Sequence, residues 1–230
     1  MYKGKKKQTI TSDEKKRIVA YCNRDIVPDT SYKINEQYPS EWFDDYFSYL
    51  GNEKLKKQLG NAYYQARFTY KLMSALNLTK GKHQGIVKFQ IIQYASICEA
   101  ILDYILENEY KAEIEEKYAD TIYTKMNVLA KNTSLRCDGE EIYTCKVKMK
   151  KKEIRFIRIG DRTNFAVEKG IISQDTKDRI CSLYDLRNTV HILKATRENY
   201  YPKLNEAKEA FMIMQEVVKE TKAYCDSKTI

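Results

Sequence analysis

The sequence predicts a mainly α-helical protein carrying one β insertion. Apolar residues recur every three or four positions along several long stretches, as one face of a helix requires. Only 8 Gly and 3 Pro occur among 230 residues, too few for an all-β chain that must turn every ten residues or so. Between the helical stretches one run of β-branched and aromatic residues alternates with lysine, the pattern of a strand. A hydrophobic content of 43%, with 19 Tyr, 7 Phe and 1 Trp, suffices for a sizeable core and excludes a disordered chain.

Local signals place the elements. Thr11-Ser12-Asp13-Glu14 reads as a capping box opening a helix to about Asn23. From Asp25 to Pro39 two prolines and weak periodicity predict a loop. Ser40 caps a short helix bearing Trp42, Phe43, Tyr46 and Phe47, and Asn52 caps a longer one running toward Leu78. Gly60 weakens that helix by about 1 kcal/mol relative to Ala. Val87, Ile91, Tyr94, Ala95, Cys98, Ile101, Leu102 and Ile105 form the strongest stripe and predict a core helix of about twenty residues. Glu141 to Met149 and Ile154 to Ile159 read as two strands joined by the basic turn Lys150-Lys151-Lys152, a hairpin inserted around 141–159 that must rest on the helices or on a partner. Asp161 then caps a short helix ending near Gly170, and Ser173 caps a penultimate helix whose buried stripe is Ile180, Leu183, Leu186 and Val190. Pro202 opens a final helix with Leu204, Ala207, Phe211, Met214 and Val218 on one face. The chain divides into an N-terminal helical extension, 1–80, and a helical domain, 81–230, that carries the hairpin.

Lys and Arg number 41 against 32 Asp and Glu, a formal charge of +9 that favours a polyanionic partner, because cationic side chains release the counterions condensed on phosphates. The densest basic run is Lys146, Lys148, Lys150, Lys151 and Lys152, followed by Arg155 and Arg158. With Lys194 these lysines are the candidate contacts to an RNA backbone. Lys3 to Lys7 is read as a solubilising end, with a nucleic-acid arm as the alternative. No run approaches the roughly 18 apolar residues of a membrane span, and no apolar segment follows the N-terminal lysines. Six scattered cysteines read as reduced thiols. The expectation is a cytoplasmic protein with no membrane, no metal and no other cofactor.

Of two histidines, His83 sits in a polar loop, whereas His191 follows Arg187 by four positions. On a helix that spacing puts both on one face, one turn apart. A neutral imidazole can take a proton from a ribose 2′-hydroxyl while a guanidinium holds two phosphate oxygens as charge develops, and Asn188 offers an amide to orient either. The same residues also suit an ordinary helix end, with dipole complementarity and a surface ion pair to Asp185.

Leu183 to Ile192, with Leu186-Arg187-Asn188-Thr189-Val190-His191 at its heart, resembles the signature helix of the HEPN superfamily, the higher-eukaryote and prokaryote nucleotide-binding domains. Ser96-Ile97-Cys98-Glu99-Ala100-Ile101-Leu102 is similar to that family's first core helix, and Phe165 to Ser173 to the approach to its motif; the resemblance runs from about Gly85 to Ala223. It implies a helical bundle of HEPN type that forms a homodimer with the motif helices facing across a cleft. It also implies a metal-independent endoribonuclease of toxin or phage-defence type, with a possible antitoxin as partner. By that carry-over His191 is general base or acid, Arg187 stabilises the transition state, Asn188 orients, and Glu99 supports them from the facing helix. The sequence departs from the family in leaving only three residues between Arg187 and His191, a shorter gap than the usual motif has. The competing reading is a non-catalytic RNA-, nucleotide- or protein-binding module of the same fold. A DNA-binding regulator fits less well, because no glycine turn with a basic recognition helix is present.

Overall fold

The structure is a computed structural model describing residues 10–24, 26–27, 40–78, 81–126, 136–141, 145–189 and 192–228. Its elements are α1 (Ser12–Asn23), α2 (Ser40–Asp45), α3 (Glu53–Ala75), α4 (Gln84–Glu109), α5 (Lys111–Lys117), β1 (Asp120–Lys125), β2 (Arg136–Cys137), β3 (Glu140–Glu141), β4 (Cys145–Lys150), α6 (Ile159–Glu168), α7 (Gln174–Asn188), α8 (Ile192–Glu198) and α9 (Leu204–Lys228). Helices account for most of the chain, so the mainly α class holds. Most of the predicted loop between Asp25 and Pro39, the tail Lys3 to Lys7, Val190 and His191 lie outside the described residues.

Helix α4 is the axis. Its buried positions, among them Val87, Ile91, Ala95, Ile97, Cys98, Ile101 and Leu106, surround most of its circumference, so it packs against α3, α6, α7 and α9 at once. Among the described residues it alone has the length and hydropathy to cross a membrane, yet those apolar positions face the neighbouring helices. The core is one cluster to which the first eighty residues contribute Phe43, Phe47, Leu59 and Tyr63, alongside Ile101, Phe165, Leu183 and Met214. The rings of Phe43, Tyr46 and Phe47 gather around Tyr63, Phe43 meeting it edge to face at 4.9 Å, a geometry that adds roughly 1 kcal/mol beyond the area buried.

Local chemistry explains the boundaries. The capping box forms, with the Glu14 amide donating to Thr11 and the Glu14 carboxylate accepting from the Thr11 amide. Asn52 accepts from the Leu55 amide and Ser173 from the Thr176 amide. Helix α6 starts two residues before the expected cap Asp161 and ends before Gly170, whose positive φ of 67° only glycine adopts at little strain. Gly60 has a reason that propensity does not reveal: a Cβ there would meet the Asp44 backbone nitrogen at 2.9 Å, so α3 and α2 touch backbone to backbone.

The hairpin is real but differently made. Strand β4 pairs antiparallel with β1, Asp120 opposite Lys150 and Lys125 opposite Cys145, not with residues 154–159. Lys150-Lys151-Lys152 is therefore no hairpin turn. Ile154 and Ile157 are buried while Arg155 and Phe156 are exposed, a period of three, and Ile154–Phe156 is a 3₁₀ turn pinned into the core before α6 begins. The inner pair β2–β3 closes at Asp138 and Gly139, both with positive φ.

Candidate functional site

Where α4, α6 and α7 meet, the polar side chains of three helices converge. Glu99 and Asp103 stand one turn apart on α4 and face Arg162 of α6. The Arg162 Nη2 donates to Glu99 Oε1 at 2.7 Å, and its Nη1 donates to both Asp103 oxygens. The guanidinium side chain is only 5% exposed, and its Nε has no hydrogen-bond partner among the described residues. From α7, Tyr184 brings its hydroxyl beside the Glu99 carboxylate, outside hydrogen-bond geometry but near enough to act on it, and the Arg187 guanidinium lies over the Tyr184 ring, 5.3 Å from its centroid.

The electrostatics divide the two acids. Burial works to raise the Glu99 carboxyl, but the Tyr184 hydroxyl, Arg162 and Arg187 outweigh it and hold the acid below its ordinary range. Burial dominates at Asp103 and pushes its carboxyl up to about 6 against the pull of Arg162. Burial, then Glu99, drive the Tyr184 phenol upward, so it stays protonated.

Of the residues singled out in the sequence, Glu99 and Arg187 are brought together: the guanidinium at the end of α7 lies within electrostatic reach of the α4 carboxylate. Glu99 hydrogen-bonds Arg162, which the sequence reading missed together with Asp103 and Tyr184. Their shared signal is a polar residue set among apolar ones, Arg162 lying three and four residues before Phe165 and Ala166. Arg187 is half-buried and Asn188 exposed. Among the described residues no ion pair joins Arg187 to Asp185.

The continuous helix expected through Val190 stops at Asn188. The Thr189 amide turns back to the Leu186 carbonyl at 3.0 Å and its hydroxyl donates to the same oxygen at 2.6 Å, a tight last turn after which α8 starts afresh at Ile192. One uninterrupted helix therefore does not set the relation of Arg187 to His191. His191 itself, and the side chain of Lys194, are outside the described residues.

The basic run forms a second feature. Register and strand alternation put Lys146, Lys148 and Lys150 on one face of the β1–β4 ribbon, with Thr124, Ile122 and Asp120 opposite them, and Tyr123, Val147 and Met149 on the other. All twelve residues of these strands are exposed. Lys152 pairs with Asp120 at 3.0 Å, and Lys151 is exposed. No group of three or more His, Cys, Asp or Glu side chains that could hold a metal ion occurs among the described residues. Comparison of the chain with protein-family models, with curated proteins and with solved structures finds no match in any of the three.

Proposed function

We propose that this protein is an RNA-binding protein of HEPN type that cuts RNA without a metal ion, beside a 2′-hydroxyl. The observation that carries this reading is the convergence of Glu99, Tyr184 and Arg187. A guanidinium lodged over an aromatic ring and beside a carboxylate loses fewer rotamers when it receives a phosphate than a free surface arginine does. In this reading His191 takes the proton from the 2′-oxygen, and that oxygen attacks the adjacent phosphorus. The P–O bond to the 5′-oxygen breaks, that oxygen leaves as a hydroxyl carrying the proton returned by the His191 imidazolium, and Arg187 and Asn188 hold the phosphate oxygens on which charge accumulates. The lysine face of the ribbon supplies sequence-independent grip on the backbone.

The end of α7 at Asn188 favours a second reading, a non-catalytic RNA-binding module, because the helix that carries Arg187 ends three residues short of position 191. One experiment divides the two. Single-stranded RNA is incubated, in chelator, with the wild type, with His191→Ala and with a triple Lys146/Lys148/Lys150→Glu variant. The nuclease reading expects fragments with cyclic-phosphate ends and a loss of roughly a hundredfold or more in rate for His191→Ala. Equal cleavage by wild type and His191→Ala, or cleavage by neither, removes catalysis. RNA binding that survives His191→Ala and is lost on charge reversal would then establish the second reading.

A further inference from the structure

A cavity of about 580 Å³ opens between α3, α4 and the start of α9, a volume within the usual range of small-ligand sites. It is distinct from the α4–α6–α7 junction and shares no residue with it. Its floor is polar and buried. Tyr94 is 3% exposed and lines the cavity. Gln90 is 1% exposed and gives its amide nitrogen to the Ala66 carbonyl at 3.2 Å.

The walls combine flat rings with positive charge. Arg67 is anchored by donating from Nε to the Ile26 carbonyl at 3.1 Å, and its guanidinium lies 5.3 Å from the Phe211 centroid and 5.9 Å from that of Tyr70. That leaves its terminal nitrogens as a fixed, positively charged fork. Lys208 adds a second cation from the first turns of α9, and no carboxylate is among the described lining residues. The amides of Leu204 and Asn205, at the start of this 25-residue helix, contribute the positive end of its dipole. A half-buried guanidinium, a second cation at the rim and aromatic walls, with no carboxylate among the described lining residues, describe a site for a molecule that brings negative charge itself.

We propose that this cavity binds a small organic anion with a flat apolar body, its acid group held by Arg67 and the Tyr94 hydroxyl and its rings set against Phe211 and Tyr70. The proposal does not depend on nuclease activity. Two dyes of near-identical shape test it: anilinonaphthalene sulfonate, and neutral phenylnaphthylamine, which lacks the acid group. The folded protein should bind the sulfonate saturably, one per chain, and the neutral dye more weakly. Arg67→Met should weaken the sulfonate about tenfold, the usual effect of one charged hydrogen bond, and leave the neutral dye unchanged. Tyr94→Phe should weaken the sulfonate several-fold, and His191→Ala should bind both dyes as wild type does. Should Arg67→Met fail to fold, Lys208→Met on the exposed rim replaces it, with a loss of a few-fold for the sulfonate expected. Equal affinity for both dyes, or sulfonate binding indifferent to these substitutions, would overturn the proposal.

Discussion

One guanidinium, that of Arg162, serves two carboxylates, and this imbalance organises the α4–α6–α7 junction. Glu99 has Arg187 and the Tyr184 phenol as additional neighbours and remains ionised, whereas Asp103 has only its share of Arg162 and, once buried, holds a proton up to about pH 6. A carboxyl raised on folding binds its proton more tightly in the folded chain than in the unfolded one, where its ordinary value is 3.8. Its contribution to stability therefore grows as pH falls through about 6 toward about 4 and is absent above that window. Denaturant unfolding of the wild type and of Asp103→Asn across that range should show the wild type gaining on the variant as the solution is acidified. A difference that stays flat, or that widens toward neutral pH, contradicts the assignment. Glu99 was legible from the sequence only through a family likeness. Arg162, Asp103 and Tyr184 were not, because periodicity tells which residues are apolar enough to face inward and does not tell which polar residue is drawn in to meet them.

At the scale of elements, the chain announces its helices through caps and stripes and hides its interruptions. Thr11, Asn52 and Ser173 cap as their residue types predict, and the stripe from Val87 to Ile105 became the central helix. Helix α7 stops short of Val190 because Thr189 closes a tight turn on Leu186, and a β-branched residue with a hydroxyl is a weak stop signal beside Gly or Pro. The ribbon was misread for a similar reason. Ile154 and Ile157 sit near enough to strand alternation to pass for a second strand, while the true partner, Asp120–Lys125, lay just beyond α5, and Asp138-Gly139, a strong hairpin signal, went unused. Gly60 shows the converse, a residue whose weak propensity hides a packing requirement. Gly60→Ala removes about 1 kcal/mol of helix penalty, yet the new methyl must displace the Asp44 backbone of α2. The variant should be less stable than wild type by about 1–2 kcal/mol in denaturant unfolding, as overpacked contacts usually are. An Ala variant as stable as wild type, or more so, would show that α2 is free to slide.

For the whole molecule the question is where the excess of nine positive charges acts. Several basic side chains are already matched: Lys117 by Glu168, Lys169 by Glu113, Arg179 by Glu209, Lys228 by Glu109, and Arg162 in the core. The lysines of the ribbon face differ, because alternation throws Lys146, Lys148 and Lys150 to one side of an exposed two-stranded arm, about 6–7 Å between successive ones, close to the spacing of phosphates along an extended single strand. A two-stranded arm exposed on both faces gains little stability from its own pairing, so its cost to the fold is best accounted for by something it holds. Each phosphate neutralised on a single strand steepens the dependence of log affinity on log salt by about 0.7. Replacing the three lysines by Gln should therefore lower that slope by about 2, with a uniform loss of affinity across RNA sequences and no change in the unfolding midpoint. The measurement is a titration of labelled single-stranded RNA at several salt concentrations. A slope unchanged by the triple substitution would move the site of RNA contact away from the ribbon, and a changed unfolding midpoint would mean that the lysines serve the fold.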